Sequence, residues 1–184
     1  MKTYFKVAGI LGLICAVAAV ILAWVNSVTA PKIAEYDQSQ TLMALEAVSG
    51  GFDIGEKRFD DTSDTVSYII PLTQNGKSAG YILELNATGY GGAMKLVASY
   101  DLAGEIIAVK MLSNSETPGI GKKSEDPSYM DKFIGTGGDG EVPTSKSQLS
   151  SDQAQAVSGA TVTFTGISKA LDYGSDYVRK QGGR

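Results

Sequence analysis

At 184 residues with a formal charge of −4, the chain has room for one sizeable domain and an accessory segment, and no basic surface for nucleic acid is expected. It contains no histidine, which excludes Ser-His-Asp catalysis, histidine-ligated haem and most zinc sites. The single cysteine, Cys15, lies in an apolar run, so this chain alone can build no disulfide, thiolate metal site or iron–sulfur cluster.

From Val7 to Val25 the sequence VAGILGLICAVAAVILAWV carries no charge, and as a helix it is long enough to cross a hydrocarbon core of about 30 Å. Trp24 stands near its end, where an amphipathic ring favours the membrane interface. A transmembrane helix is therefore predicted over residues 7–25. Val28-Thr29-Ala30 offers small residues for signal cleavage, but Pro31 follows directly and the apolar run is long for a signal peptide. Ile14 precedes Cys15 where a lipoprotein would want a small residue, and a soluble core helix would show a polar face. Lys2 and Lys6 precede the span and no acid does, which predicts that residues 1–6 stay in the cytoplasm and the rest lies outside.

Residues 26–50 read as a helical connector continuing the span past Pro31, with Ile33, Tyr36, Leu42 and Leu45 as an apolar stripe and Gly50-Gly51 as its stop. Residues 51–184 make up the outer domain. Thr65–Leu72 is β-branched and aromatic, and Pro71 suggests its end or an edge. Asn75-Gly76 is a hairpin signal leading into KSAGYILELNA. AMKLVASYD and GEIIAVKMLSN follow, joined by a turn at Asp101–Gly104. A short helix is expected around Pro127–Phe133. A longer one begins near Thr161, with Ile167, Leu171, Tyr173, Tyr177 and Val178 as its apolar face. The fold class predicted is α+β: a mainly antiparallel sheet covered by helices, behind an N-terminal transmembrane helix.

Several short stretches could carry chemistry. Gly135–Gly140 matches G-x-G-x-x-G, but neither a strand before it nor a helix after it is evident, so a flexible surface loop is expected. GYGG, Gly89–Gly92, lies between two strands and reads first as a bulge or wide turn, with close approach to a flat ligand as the alternative. In SETPGIGKK, Pro118-Gly119 explains a turn, while Glu116 and Thr117 beside it suit holding a polar heterocycle. The stretch SGATVT, Ser158–Thr163, precedes the last helix. One hydroxyl would serve as a cap, leaving the others unexplained. A helix start favours phosphate, Gly159 and Ala160 would not obstruct it, and Thr161 offers a hydroxyl. Either a phosphate-bearing ligand is held there, or one is esterified to the threonine.

SGATVT resembles the flavinylation motif S/T-G-A-T of the FMN-binding domains of RnfG and NqrC, components of membrane redox pumps. GYGG and ETPGIG stand in the order those domains show, behind an N-terminal anchor, and the short chain is closer to the Rnf type. The resemblance implies FMN esterified through its phosphate to Thr161 by a separate flavin transferase. It also implies a role as electron carrier in a complex coupling ferredoxin:NAD+ electron transfer to Na+ or H+ movement, with RnfA, RnfB, RnfC, RnfD and RnfE as partners. Ser158, Gly159 and Ala160 would complete the motif, and Glu116, Thr117, Gly119 and Tyr90 would meet the ring or ribityl chain. No catalytic residue and no metal ligand is assigned. Where the family motif usually carries Asp three residues before the Ser or Thr, this chain has Gln155, with Asp152 nearby. A tether suits a cofactor facing the outside, where a dissociable one would be diluted away, and this chain needs an imported group to carry electrons. The alternatives are an NqrC-like or stand-alone flavinylated carrier, and a cofactor-free anchored scaffold.

Overall fold

The computed structural model describes residues 2–182. Helix α1 (Lys2–Val48) runs without a break through Pro31, so span and connector are one element. Pro31 has no N–H to give the carbonyl of Ser27. Nearby, the hydroxyls of Ser27 and Thr29 donate to the Trp24 and Val25 carbonyls at 2.8 and 2.9 Å. The helix is long and apolar enough to cross a membrane, with a mean hydropathy of 2.6 over its most apolar 18-residue window. The expected connector stripe is corrected. Ile33, Tyr36 and Leu42 are exposed, and the buried residues are Ala44, Leu45 and Val48, because only the last turns meet the sheet.

The outer domain is built on strands β1 (Asp53–Ile54), β2 (Arg58–Phe59), β3 (Val66–Gln74), β4 (Lys77–Thr88), β5 (Ala93–Asp101) and β6 (Ile106–Asn114). Neighbours are antiparallel in the order β1-β3-β4-β5-β6, with β2 also on β3. The β3–β4 hairpin turns at Asn75-Gly76, both at positive φ, as a two-residue I′ connection requires. Pro71 does not end β3. It pairs with Tyr81, and its carbonyl accepts from Gly55 N–H at 2.9 Å. Its missing donor faces that same outer edge, and there the flanking strand breaks into β1 and β2.

Both faces of the sheet are covered, where the sequence suggested one. Leu83, Leu85, Leu96, Ala98 and Tyr100 pack beneath α4 (Thr161–Gly182) through Phe164, Ile167, Leu171 and Val178. Tyr68, Ile70, Leu72, Ile82 and Val97 face the last turns of α1. Tyr173 falls off the buried stripe of α4 and is exposed, while Tyr177 is half-buried and donates to Asp60 at 2.6 Å. The short helix expected near Pro127 is α2 (Pro127–Met130), capped by the Asp126 side chain and followed by a 3-10 turn to Phe133. Helix α3 (Ser151–Ala156) was not expected, although Ser150 and Gln153 form its capping box. The Gly135–Gly140 loop is no flexible loop. Gly135 N–H donates to Ile106, Ile106 N–H to Thr136, and Gly138 N–H to Ser175 Oγ, which stitches it to β6 and α4.

Candidate functional site

The start of α4 is shaped by what precedes it. After α3, Gly159 takes a left-handed φ of 83°, which glycine adopts without strain, and the chain reverses into the next helix. Ala160 holds the N-cap position: its carbonyl accepts from Phe164 N–H at 3.0 Å, but its methyl group can cap nothing. Among the described residues no side chain or carbonyl accepts from the backbone N–H groups of Thr161, Val162 and Thr163. Thr161 is exposed, and its hydroxyl makes no hydrogen bond among the described residues. Unpaired amides at the positive end of a 22-residue helix, beside a free hydroxyl, favour an anion there.

A groove of about 420 Å³ opens beside this helix start. Tyr90, Glu116, Thr117, Gly159, Ala160 and Thr161 all line it, so most of the residues singled out from sequence converge. Gly119 and Ser158 do not line it. Gly119, with φ 77°, completes the turn in which Ile120 N–H donates to the Thr117 carbonyl at 3.2 Å, as Pro-Gly at its centre demands. Tyr90 is 81 % exposed at the tip of the β4–β5 turn, leaving its ring face free for stacking. That turn is wide rather than a bulge, closed by Gly89 N–H donating to Gly92 at 2.8 Å. A second cavity, of about 650 Å³, lies on the other side of Thr161, between α4 and the end of β4, with Lys169 at its wall.

Glu116 differs from expectation in how it is engaged. It lines the groove yet is buried, one carboxylate oxygen accepting from Thr163 Oγ1 at 2.6 Å and the other from Gly91 N–H at 2.8 Å. The second threonine of SGATVT is thereby accounted for: it faces inward to Glu116, while Thr161 faces out. Ile120, Gly121, Val162 and Thr163 also line the groove and were not singled out from sequence. The spacing Thr161/Thr163 at the head of a helix was the available signal for the last, since residues two apart point to different sides.

These residues fit a phosphate-bearing flavin. The helix start offers donors and a hydroxyl, and a Cβ at Gly159 would meet only Ile120 at 3.9 Å, so the approach is open. The groove, bounded by Tyr90, Ile120 and Val162, is within the size range of small-molecule sites. Comparison with known proteins agrees. A model of the FMN-binding domain matches residues 89–175, from the first glycine of the β4–β5 turn to Ser175 on α4, and a model of the RnfG N-terminal region matches residues 1–48. The G subunit of an ion-translocating oxidoreductase complex of Methanosarcina acetivorans is 28% identical, over 99% of this chain and 98% of that protein. The G subunit of a Na+-translocating ferredoxin:NAD+ oxidoreductase complex of Acetobacterium woodii is 28% identical, over 93% of this chain and 89% of its own. Its counterpart from a proton-translocating ferredoxin:NAD+ oxidoreductase complex of Clostridium ljungdahlii is 24% identical, over 92% and 89%.

Proposed function

The chain belongs to the RnfG family, the G subunits of Rnf-type ion-translocating oxidoreductase complexes, with an FMN-binding domain behind an N-terminal apolar helix, and from that premise we propose that FMN is carried as a phosphoester on Thr161. The observation that carries this reading is the exposed Thr161 hydroxyl, partnerless among the described residues, at an uncapped helix start beside a groove. Thr161, Val162 and Thr163 would donate their amides to the phosphate oxygens, neutralising charge without a metal or a histidine. Gly159 and Ala160 leave that approach unobstructed. Tyr90 would present a ring face, and Ile120 and Val162 apolar edges that exclude water. The flavin supplies the redox chemistry, and the protein supplies position and surroundings.

In this reading the protein relays electrons between neighbours in a membrane complex of the Rnf type, after a flavin transferase has modified it. The names of the Acetobacterium and Clostridium relatives support ferredoxin and NAD+ as the terminal partners, and Na+ or H+ as the coupling ion. Lys2 and Lys6 ahead of the span support a cytoplasmic N-terminus and an FMN domain on the outer side. The test is mass spectrometry of the chain from its native membrane. The peptide containing Thr161 should be heavier by FMN less one water, and Thr161→Val should lose that mass while keeping its thermal unfolding midpoint. Unmodified Thr161 in the native complex would sink the proposal.

A further inference from the structure

Among the described residues the Thr161 hydroxyl has no hydrogen-bond partner, and its position is set two residues along the helix. Thr163 is 1 % exposed and Glu116 4 % exposed, and between them runs a 2.6 Å hydrogen bond from Oγ1 to Oε2. Oε1 of the same carboxylate accepts from Gly91 N–H at 2.8 Å. The Glu116 backbone N–H donates to Asn114 Oδ1 at 3.0 Å, fixing the residue at the end of β6. One acid therefore joins the first turn of α4, the β4–β5 turn and the end of β6.

Glycines make the space for it. A Cβ on Gly89 would stand 2.2 Å from Oε1, one on Gly121 2.2 Å from Oε2, and one on Gly91 2.2 Å from the Ser115 carbonyl oxygen. No lysine or arginine among the described residues forms an ion pair with Glu116. Burying an acid without a cation is unfavourable unless directed donors satisfy it, and an apolar side chain would fill the space at less cost. The arrangement makes sense where direction, rather than burial alone, is what matters.

We propose that Glu116 is the positioning residue of the flavin site: its buried carboxylate clamps the first turn of α4 to the Gly89–Gly92 turn, and so sets where the Thr161 hydroxyl stands relative to the groove. This rests on Thr161 being the flavin tether. The clamp fixes the two walls that carry Tyr90 and Val162 against each other, so that a flavin attached at Thr161 meets a groove already formed. It also joins GYGG to ETPGIG: Gly91 of the first supplies a donor to Glu116 of the second, and Gly89 and Gly121, one from each, leave it space.

The test uses the full-length chain in detergent, produced with and without a flavin transferase, as wild type, Glu116→Gln, Glu116→Ala and Thr163→Val. Glutamine can accept from Gly91 and donate to Thr163, whose hydroxyl serves either way. Two readouts are taken: FMN occupancy of Thr161 by intact mass, and amide hydrogen exchange over residues 89–92 and 160–166 in the unloaded protein. Glu116→Ala should lower occupancy and speed exchange in those segments by about tenfold each, as expected for losing the buried hydrogen bonds that join them, with the last turns of α4 unchanged. Glu116→Gln should stay within about twofold of wild type in both, because its hydrogen bonds persist. The proposal is overturned if Glu116→Ala matches wild type, if Glu116→Gln fails as Glu116→Ala does, or if exchange quickens evenly through the domain. Should Glu116→Ala not fold, Thr163→Val decides, since it cuts only the α4 arm and should quicken 160–166 while sparing β5 and β6. A wild type lacking FMN on Thr161 would remove the tether, while the exchange results would still judge the clamp.

Discussion

In its C-terminal half α4 is joined to the sheet through Ser175, whose Oγ donates to the Gly104 carbonyl at 2.7 Å and accepts from Gly138 N–H at 2.9 Å. At its first turn it is joined through Thr163, which donates to Glu116. Both junctions use a small buried hydroxyl, and glycines crowd Ser175 itself at one and Glu116, the partner of Thr163, at the other. A Cβ on Gly104 would come within 2.7 Å of the Ser175 carbonyl oxygen, and one on Gly137 within 2.8 Å of Ser175 Oγ. What differs is the helix geometry. Mid-helix, the amides near Ser175 belong to the helix ladder, and the junction is a closed piece of packing. At the first turn they have no ladder to join, so the same construction leaves donors beside an open groove. A candidate ligand site and a structural rivet can therefore share one design, separated by their position along a helix.

The sharpest way to break this contrast is Gly166→Ala. Gly166 faces the end of β4, and a Cβ there would stand 2.1 Å from the Thr88 carbonyl oxygen. Alanine improves helix propensity by about 1 kcal/mol, while a forced fit against rigid backbone costs about 1–3 kcal/mol, so the clash should win. We expect lower stability in chemical denaturation together with reduced FMN occupancy, because the first turns of α4 must lift away from Thr88. A variant that is as stable and as fully loaded as wild type would mean that the helix start is not fixed against the sheet.

Ser175→Ala should separate the two junctions. It leaves the Gly138 amide and the Gly104 carbonyl without their partner, at a cost of about 1–3 kcal/mol, which a urea titration would read directly. FMN occupancy of Thr161 should be unaffected. Loss of loading here would show that the two ends of α4 are not independent.

The smallest effect lies at neither junction. Lys132 is buried against the ring of Tyr129, its ammonium donating to that residue's carbonyl, and burial pushes its pKa down from 10.5 to about 8. Between about pH 8 and 10.5 the unfolded chain binds more protons than the folded one, so stability should rise with pH across that window. Below pH 8 both states carry the charge and the burial penalty is fully felt. Lys132→Met should flatten that rise in denaturation midpoints measured across the window, and leave flavin loading unchanged.

The helix start and the four long strands were legible because their signals are local. Asn75-Gly76 dictates its own turn, and small residues ahead of an apolar helical period mark where α4 begins, but Ala160 holds the N-cap in place of the hydroxyl the sequence led one to expect there. The edge strands β1 and β2 were not legible, since two residues carry no periodicity and their place follows from the break at Pro71. Tyr173 shares the apolar character of Leu171, and only packing shows that it lies off the stripe. In the candidate site, the place of Thr161 at the start of α4 was legible from its neighbours. The role of Thr163 depends on a residue 47 positions away, and whether an acid such as Glu116 meets solvent or is enclosed is decided by glycines on two separate loops, Gly89 and Gly91 on one and Gly121 on the other.

Ala160 gives the helix start its character. A serine or aspartate there would settle α4 by about 1 kcal/mol, folding its side chain back over the first amides. That same gesture would occupy the donors a phosphate needs. By keeping a methyl group at this place, the chain leaves its last helix incomplete on its own, and completion has to come from outside the polypeptide.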